Sequence, residues 1–308
     1  MILCCGEALI DMIPEPTLRG SDGYVPRSGG AIFNTAIGLG RLGCRTGLVS
    51  GISTDMFGHQ LMAELRASNV DTRNVIRSDR PTTLAFVKLS DGHASYSFFD
   101  ENSAGRMIAA DDLPASVDDV SALYFGGISL ACDPGADAYM QFAQTHARNC
   151  VVMVDPNIRP SFITDEPSFR NRIERMLGLT DIVKVSDEDL NWIIQTTDSL
   201  ETKAAHLQEL GPSIVILTRG SSGAQAWLPD GQSIFVASQK VDVVDTVGAG
   251  DAFNAGVLAG LSEAGLLTKT ALRSVSAKDI EKAIGLGVQV AAINVARAGA
   301  NPPWRDEL

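Results

Sequence analysis

Residues 241–258 read VDVVDTVGAGDAFNAGVL and divide into three parts. An apolar stretch ends at Val247, three small residues follow at 248–250, and Asp251 opens a segment with the composition of a helix. Small residues allow a tight turn and leave backbone N–H groups open, and a helix start adds free N–H groups and the positive end of a dipole. The pattern therefore predicts a strand, a turn and a helix that form a cradle for an anion.

Two interpretations of Asp251 follow from this segment alone. A phosphoryl group held by Gly248, Ala249 and Gly250 would develop charge during its transfer, and Asp251 could accept the proton of an attacking hydroxyl. The same residue types also occur where an aspartate only caps a helix after a glycine turn. The segment by itself favours neither interpretation.

A second glycine-rich segment, residues 28–43, reads SGGAIFNTAIGLGRLG. Gly29 and Gly30 precede a predicted helix, so a ligand could approach the bare backbone there. Asn34 lies one turn further and offers both a donor and an acceptor to a hydroxyl group. We therefore expect a ligand contact at this helix start.

The stretch Gly38–Gly43 matches the pattern GxGxxG, which also occurs in dinucleotide sites. In such sites the glycines open a helix directly after a strand, whereas these lie inside or at the end of the predicted helix. Close helix packing, with Gly43 as a C-cap, is the preferred interpretation. A nicotinamide-dependent oxidoreductase is the alternative, and NAD(P) binding would test it.

The second half of the chain alternates between apolar and amphipathic stretches. Continuous apolar strands separated by amphipathic helices indicate a parallel sheet covered on both faces. The predicted strands are Ala122–Ile128, Val151–Asp155, Ile182–Val185 and Ile214–Thr218, and the predicted helices are Asp137–Arg148, Phe169–Leu177, Glu188–Gln195, Thr202–Leu210, Asp251–Ala264 and Ala277–Arg297.

The first hundred residues predict a second, smaller sheet. Leu84–Leu89 and Ala94–Phe99 are short β runs, and Asp91-Gly92 between them is a strong hairpin signal. Phe86, Tyr96 and Phe98 alternate with polar residues, which predicts one apolar and one wet face. We expect one α/β domain over residues 1–308, carrying a discontinuous β lid at about 9–28 and 82–103.

Composition excludes several classes of protein. Lys plus Arg total 25 and Asp plus Glu total 37, a net charge of −12, which argues against nucleic acid as a partner. The five cysteines are scattered without a CxxC pattern, so we expect no zinc site and a reduced, cytoplasmic chain. No apolar run has the length of a membrane span, and no P-loop pattern is present.

Taken together, GGAIFNTA with GLGRLG at 29–43 and DTVGAGDAFNAG at 245–256 resemble the two signatures of the ribokinase-like, or pfkB, family of carbohydrate kinases. The segments GEALID at 6–11, DPNIR at 155–159 and TRGSSG at 218–223 are similar to fructokinase segments in the same order. The resemblance covers essentially the whole chain. It implies a ribokinase-like fold, with a mostly parallel central sheet, helices on both faces and a small β-sheet lid.

The resemblance also implies a reaction, the ATP-dependent phosphorylation of a sugar hydroxyl with Mg²⁺. Asp251 aligns with the catalytic base, and Gly248, Ala249 and Gly250 align with the anion hole. Arg159 would lie near the donor phosphates. Since Asp251 would lie at a helix N-terminus, we expect its carboxylate to stay ionised.

Further roles are implied for nucleotide and metal binding. Asp189 replaces the usual glutamate of a metal-linked segment and would reach Mg²⁺ through water. Asp245, with the carbonyl of Val247, looks like a monovalent-cation position, where many family members use potassium; a capping role for Asp245 is an equal alternative. The implied nucleotide contacts are Lys184, Ser186, Thr218, Gly220, Gly223 and Asn294.

The predicted lid departs from the family pattern, because two acids follow Phe98-Phe99. Relatives that act on acidic 2-keto-3-deoxygluconate often carry an arginine there, so the acids favour a neutral sugar. Fructose is the preferred acceptor; ribose, a nucleoside or 2-keto-3-deoxygluconate are alternatives, as is a sugar-binding protein without catalysis. The implied sugar contacts are Asp11, Gly29, Gly30, Asn34, Glu101 and Phe98, with plain lid packing an equal alternative for Phe98.

The exposed apolar face of the lid is expected to mediate a homodimer, as often happens in this family. The expected partners are otherwise small molecules, the sugar and ATP.

Overall fold

The structure, a computed structural model, describes residues 1–18, 20–90 and 93–308. Its strands are β1 (Ile2–Cys5), β2 (Leu9–Pro16), β3 (Asp22–Gly29), β4 (Thr46–Val49), β5 (Gly51–Ser53), β6 (Ile76–Ser78), β7 (Leu84–Ser90), β8 (His93–Phe99), β9 (Ala122–Gly126), β10 (Val151–Asp155), β11 (Ile182–Ser186), β12 (Ile214–Thr218), β13 (Gly223–Trp227) and β14 (Ser233–Ala237). Its α-helices are α1 (Ala31–Arg41), α2 (Met56–Ala67), α3 (Gly135–His146), α4 (Glu166–Leu177), α5 (Asp187–Ile193), α6 (Leu200–Glu209), α7 (Ala249–Glu263), α8 (Lys269–Arg273) and α9 (Ala277–Val295).

Eight of these strands form the central sheet in the order β14-β13-β12-β11-β10-β9-β1-β4. The six from β12 to β4 are parallel, and β13 and β14 add an antiparallel edge. The inner strands are buried along almost their whole length because helices cover both faces. This confirms the predicted mostly parallel sheet, while the antiparallel edge was not predicted.

Two apolar cores lie on opposite faces of this sheet. One packs α1, α2 and the C-terminal helices α7 to α9, and the other packs α3 to α6. The carboxyl ends of β1, β9, β10, β11 and β12 meet at one edge of the sheet because these strands are parallel. Side chains that follow these strand ends are therefore brought together, although they are far apart in sequence.

A separate four-stranded sheet has the order β3-β2-β7-β8, and the resemblance's expectation of a small second sheet is confirmed. Asp11 pairs with Ala85, which pairs with Phe98, so Asp11 and Phe98 lie on one face. Phe86 pairs with Ser97 and therefore lies on the opposite face from Phe98. The predicted single apolar face was wrong, because alternation within each strand does not give the register between strands.

The opposite face of this sheet carries an aromatic row. Tyr24 and Phe99 each contact Phe86 edge to face, with ring centroids 5.0 and 5.4 Å apart. Phe99 is 59% exposed. The predicted Asp91-Gly92 hairpin turn lies outside the described residues.

The predicted strand before Gly248 was wrong: the described chain is irregular between Ala237 and Gly248. Val243 and Val244 are exposed. The backbone N–H groups of Val244 and Asp245 both donate to the carbonyl of Val295, at the end of α9, instead of to a sheet edge. None of the helices in the described residues is long and apolar enough to cross a membrane.

The glycines of the GxGxxG match pack helices closely, as predicted. A Cβ atom at Gly38 would lie 2.7 Å from Cβ of Ala255, and one at Gly40 would overlap the carbonyl of Ser68. Helix α1 ends at Arg41, and Gly43 follows with a φ of 81°. The predicted C-cap is therefore confirmed.

Candidate active site

A cavity of about 310 Å³ opens at the carboxyl edge of the central sheet. One wall comes from the second sheet and the start of α1, the other from the start of α7 and the segment that follows β10. Its lining residues are Glu7, Leu9, Asp11, Gly30, Ala31, Asn34, Phe98, Gly127, Ile128, Asp155, Asn157, Arg159, Lys184, Thr246, Val247, Gly248, Ala249, Gly250 and Asp251.

The N-terminus of α7 forms part of the second of these walls. Gly248 has a φ of 72°, and a Cβ atom there would lie 2.6 Å from Cβ of Ala300, so both conformation and space require glycine. The helix begins at Ala249, whose N–H donates to the carbonyl of Thr246 at 3.3 Å. Gly248, Ala249 and Gly250 line the cavity, so the positive end of the dipole of this 15-residue helix lies at the cavity, which suits an anion.

Asp251 is buried in the first turn of α7, and its carboxylate is held from across the cavity. Oδ2 of Asp251 accepts a hydrogen bond of 2.9 Å from Nδ2 of Asn34. Thr35 donates to the main-chain carbonyl of Asp251 at 3.2 Å. Helix α1 therefore positions the start of α7 through two consecutive side chains.

Burial raises the pKa of Asp251 to about 7; the negative charge of Asp155 adds to this, while the hydrogen bond from Asn34 and the positive charge of Lys184 oppose it. The expectation that this carboxylate stays fully ionised at a helix N-terminus was therefore wrong. Desolvation at this depth outweighs the helix dipole, so the carboxyl group is partly protonated near neutral pH.

A buried ion pair lies behind the start of α7. Nζ of Lys184 donates to Oδ2 of Asp155 at 2.9 Å, and Nδ2 of Asn254 donates to the same oxygen at 2.7 Å. Burial lowers the pKa of Lys184, but the charge and hydrogen bond of Asp155 outweigh it, so that pKa is raised. A Cβ atom at Gly250 would lie 3.3 Å from Nζ of Lys184. A cation thus lies directly against the helix start.

Arg159 lines the cavity on the segment that follows β10, and it is exposed. Its neighbour Ile158 donates its backbone N–H to Oδ1 of Asp189 at 2.9 Å. Oδ2 of Asp189 accepts from the N–H and the hydroxyl of Ser186 at 3.1 and 2.8 Å. Asp189 therefore connects the loop that carries Arg159 to Ser186, the N-cap residue of α5.

These contacts restrict the ways in which the protein could hold Mg²⁺. Asp189 does not line the cavity, and its carboxylate already accepts three hydrogen bonds. In the part of the chain that the structure describes, no three His, Cys, Asp or Glu side chains are grouped to hold a metal ion. The residues present fit a metal ion that is bound to phosphate oxygens and contacts the protein through water. They do not fit a metal ion whose ligands all come from the protein.

The second sheet contributes Asp11 and Phe98 to the cavity. Burial raises the pKa of Asp11 to about 6. Its carboxylate lies against Gly29, where any Cβ atom would overlap Oδ2. Phe98 packs on Phe162, with ring centroids 4.2 Å apart. Glu101, predicted to contact the sugar, is exposed and is not among the lining residues.

The other predicted nucleotide residues lie at the same sheet edge but outside this cavity lining. Thr218 donates to the carbonyl of Val185 at 3.3 Å, and Ser186 caps α5. Gly220 has a φ of 51°, with open space where its side chain would be. Gly223 begins β13, and a Cβ atom there would overlap the carbonyl of Val236. Their role toward a nucleotide stays a prediction.

Asn294 and Asp245 have structural contacts of their own. Asn294 is fully buried; its Nδ2 donates to the carbonyl of Val247 at 2.9 Å, and its Oδ1 accepts from the N–H of Asn301 at 2.8 Å. Asp245 accepts from the N–H groups of Val247 at 3.0 Å and Gly299 at 2.8 Å. These contacts hold the loop before α7 in place.

Comparisons with known proteins show which family this chain is part of. Residues 1–307 match the sequence profile described as pfkB family carbohydrate kinase. The chain belongs to the pfkB family of carbohydrate kinases. This kinase is 50% identical over 275 residues to a fructokinase of Rhizobium leguminosarum bv. trifolii, covering 89% of this chain and 84% of that protein.

Two solved structures are similar to this kinase. Fructokinase from Xylella fastidiosa with bound ATP superimposes with a TM-score of 0.89 at 27% identity, covering 97% of this chain and 93% of that one. Fructokinase from Vibrio cholerae O395, in a form with bound fructose, ADP and calcium, superimposes with a TM-score of 0.85 at 26% identity, covering 97% and 94%.

The sequence analysis did not single out several residues of this kinase's cavity. Glu7 follows β1 and Asp155 ends β10, and both line the cavity. Tyr124 and Asn254 lie behind it, where Nδ2 of Asn254 donates to the Tyr124 hydroxyl at 2.9 Å. The position of an acid at the carboxyl end of a buried parallel strand was the signal that could have identified Glu7 and Asp155.

Proposed function

We propose that this carbohydrate kinase is a fructokinase, which transfers the γ-phosphoryl group of ATP to the 6-hydroxyl of D-fructose. The observation that carries the proposal is the position of buried Asp251 at the N-terminus of α7, beside Lys184 and in one cavity with Asp11. The 50% identity to a fructokinase supports fructose as the acceptor.

Asp251 is the general base in this proposal. The sugar hydroxyl gives its proton to the Asp251 carboxylate as its oxygen forms a bond to the γ-phosphorus, and the bond from that phosphorus to the bridging oxygen breaks to release ADP. The hydrogen bond from Asn34 orients the carboxylate. A pKa of about 7 suits a base that works near neutral pH.

The travelling phosphoryl group is stabilised by fixed positive charge. Gly248, Ala249 and Gly250 would form the anion hole around it, Lys184 lies against Gly250, and Arg159, which lines the same cavity, would contact the donor phosphates. Mg²⁺ bound to the ATP phosphates would supply further charge neutralisation. A water molecule bound to that metal would connect it to Asp189. Asp189 also holds the loop that carries Arg159, through the N–H of Ile158.

The acceptor half favours a neutral sugar. Glu7, Asp11 and Asp251 all line the cavity, so a substrate carboxylate would meet three acidic groups. A polyol can donate hydrogen bonds to them and receive one from Asn34. Gly30 lines the cavity and would give the sugar access to the backbone, and Phe98 would cover an apolar sugar face. Gly29, also predicted to contact the sugar, is not among the lining residues and lies against the Asp11 carboxylate. Glu101 is exposed, and a part for it in sugar binding remains a proposal.

The remaining nucleotide and cation roles are extensions of this proposal. ATP would lie along the ends of β11 and β12, at Ser186, Thr218, Gly220 and Gly223, with Asn294 holding the adjoining loop. Potassium would bind at Asp245 and the Val247 carbonyl. Five free cysteines, four of them buried, fit a reducing compartment such as the cytoplasm.

A homodimer through the second sheet is part of the same proposal. The row of Tyr24, Phe86 and Phe99 is an aromatic surface that a second copy of this chain would cover. Sedimentation of the wild type and of Phe99→Asp would test it: a dimer that becomes monomeric supports the proposal, and a monomeric wild type contradicts it.

The function is tested by coupled ADP release over a panel of sugars. We expect D-fructose to give the highest kcat/KM, with ribose, a nucleoside and 2-keto-3-deoxygluconate far below it. Turnover that is highest with another acceptor would contradict fructokinase activity while keeping the kinase. NMR spectra of the product show whether the phosphoryl group is attached to C6 of the sugar.

A further inference from the structure

A second, smaller cavity of about 20 Å³ lies beside the first, at the base of the hairpin formed by β7 and β8. Thr83 directly precedes β7, and Asp100 directly follows β8, so both strands leave the body of the protein at this cavity. Its lining residues are Glu7, Ala8, Thr83, Asp100, Gly105, Arg106, Ile128, Ser129, Cys132, Gly135 and Tyr139. Nothing in the proposed kinase mechanism uses this space.

One carboxylate oxygen of Asp100 accepts no hydrogen bond from the described residues. Its Oδ1 accepts hydrogen bonds from the hydroxyls of Thr83 at 2.7 Å and Ser103 at 2.9 Å. Its Oδ2 is fully buried and has no hydrogen-bond partner in the part of the chain that the structure describes. An unsatisfied buried polar atom costs about 1–3 kcal/mol, and more for a charged group. The site therefore calls for a donor.

Arg106 is close to Asp100 but does not satisfy this oxygen. Its NH1 lies 3.7 Å from Oδ2 of Asp100, too far for a direct hydrogen bond. Its Nε donates to the carbonyl of Asp133 at 2.9 Å, which fixes the guanidinium. The two groups form an ion pair at this distance, which leaves room for a water that hydrogen-bonds to both.

Glu7 and Ser129 also line this cavity and are hydrogen-bonded to each other. Oε2 of Glu7 accepts from the Ser129 hydroxyl at 2.7 Å, and its Oε1 accepts from the N–H of Ala31 at 3.1 Å. Burial raises the pKa of Glu7. Glu7 lines both cavities and is attached to the first residue of α1, the helix that carries Asn34.

We propose that the small cavity holds one permanently bound water molecule, which donates hydrogen bonds to Asp100 and Glu7 and accepts one from Arg106. The volume is sufficient, because a buried water needs roughly 10–15 Å³ and two to four polar partners. A metal cation is disfavoured because the Arg106 guanidinium faces the same space. The occupant is thus a small neutral molecule that can both donate and accept.

This water links the base of the hairpin to the start of α1. The hairpin carries Phe98, and α1 carries Asn34, which holds Asp251. The water is therefore a positioning element for the acceptor half of the active site. Only this kinetic consequence rests on the proposed function; the binding of the water does not.

A crystal structure at a resolution that shows ordered solvent tests the water without any assay. We expect a full-occupancy peak within hydrogen-bond distance of Asp100 Oδ2 and of a Glu7 carboxylate oxygen. A dry cavity, or a solvent peak that touches only one of the two acids, would overturn the proposal.

Two substitutions at Cys132 test the consequence. Cys132→Val adds about the volume of one water and removes the thiol that interacts with the Asp100 carboxylate, whereas the control Cys132→Ser keeps a donor there and adds no volume. We expect Cys132→Val to lose the solvent peak and to raise the KM for the sugar roughly two- to tenfold, the value of one hydrogen bond, with an unchanged KM for ATP. The positioning role would be overturned if the solvent peak were absent from Cys132→Val and present in Cys132→Ser while the KM for the sugar was the same in both variants.

Discussion

The side-chain amide of Asn34 donates a 2.9 Å hydrogen bond to the carboxylate of Asp251, and this single contact joins residues 217 positions apart in the chain. It ties the helix that follows the second sheet to the helix that forms the anion cradle. The acceptor and donor halves of the cavity are thereby held at a fixed distance, which positions the proposed base against its hydroxyl.

Replacing Asp251 with asparagine removes the proposed base and keeps its shape. We expect Asp251→Asn to lower kcat by at least about a hundredfold, because general base catalysis contributes that much or more, with little change in the KM for the sugar. Coupled ADP release measures it. The control is Asp242→Asn, the same chemical change at an exposed position nearby. Near-normal kcat in Asp251→Asn would show that another group is the base.

The pKa of about 7 for Asp251 predicts the pH dependence of the rate. The proton acceptor must be ionised, so kcat/KM should rise as pH increases through about 7 and level off above it. Asp11, with a pKa of about 6, would contribute a further rise at lower pH. A profile that is flat between pH 5 and 8 would contradict the assignment.

The same shift predicts an effect on stability. A carboxyl group whose folded pKa is raised stabilises the fold while it is protonated, and this contribution is lost as pH rises from about 4 to about 7. The side chain in Asp251→Asn stays neutral throughout. As pH rises over this range, the unfolding free energy of the wild type should therefore fall relative to that of the variant, by on the order of a few kcal/mol. Urea unfolding at pH 5 and pH 8 measures the difference; equal pH dependence in both proteins would argue against a buried, desolvated Asp251.

The buried Lys184–Asp155 pair predicts a strongly coupled pair of substitutions. Lys184→Met leaves the Asp155 carboxylate buried without its counter-ion and should cost about 3–5 kcal/mol of stability. Adding Asp155→Asn should recover much of that loss, because no charge is left unpaired. Urea unfolding of both single variants and the double variant gives the coupling. Additive losses would mean that the ion pair does not hold these side chains.

The close contact between Gly29 and Asp11 predicts a substitution that weakens sugar binding alone. In Gly29→Ala the new Cβ would overlap Oδ2 of Asp11 and displace that carboxylate. We expect the KM for the sugar to rise roughly tenfold or more, as when a hydrogen bond to a charged group is lost, while the KM for ATP is unchanged. Gly285→Ala is the control, since its Cβ would meet nothing. A normal sugar KM in Gly29→Ala would remove Asp11 from the acceptor site.

The sequence was sufficient to predict the parts of the site that are contiguous in the chain. The glycines before α7 and Asp251 form one segment, and Gly30 and Asn34 form another, so each could be recognised from spacing. The Lys184–Asp155 pair could not, because its members lie on two neighbouring strands and meet only through the order of the sheet.

Burial was the other quantity that the sequence could not supply. Asp251 was expected to be ionised from its place at a helix start, but its pKa depends on how closely α1 covers α7. The consecutive acids Asp100 and Glu101 show the same limit. Asp100 is buried and Glu101 is exposed, and only the register of β8 decides which of the two turns inward.

Strands β2 and β3 are inserted between β1 and α1, so the acceptor wall is built largely from the first 34 residues and Phe98, whereas the phosphate wall is built from residues 155–251. The two walls are thus encoded by separate stretches of the gene. Substitutions at Leu9, Asp11 or Phe98 would therefore change the acceptor wall alone, whereas a substitution at Asn34 would alter both walls through its contact with Asp251.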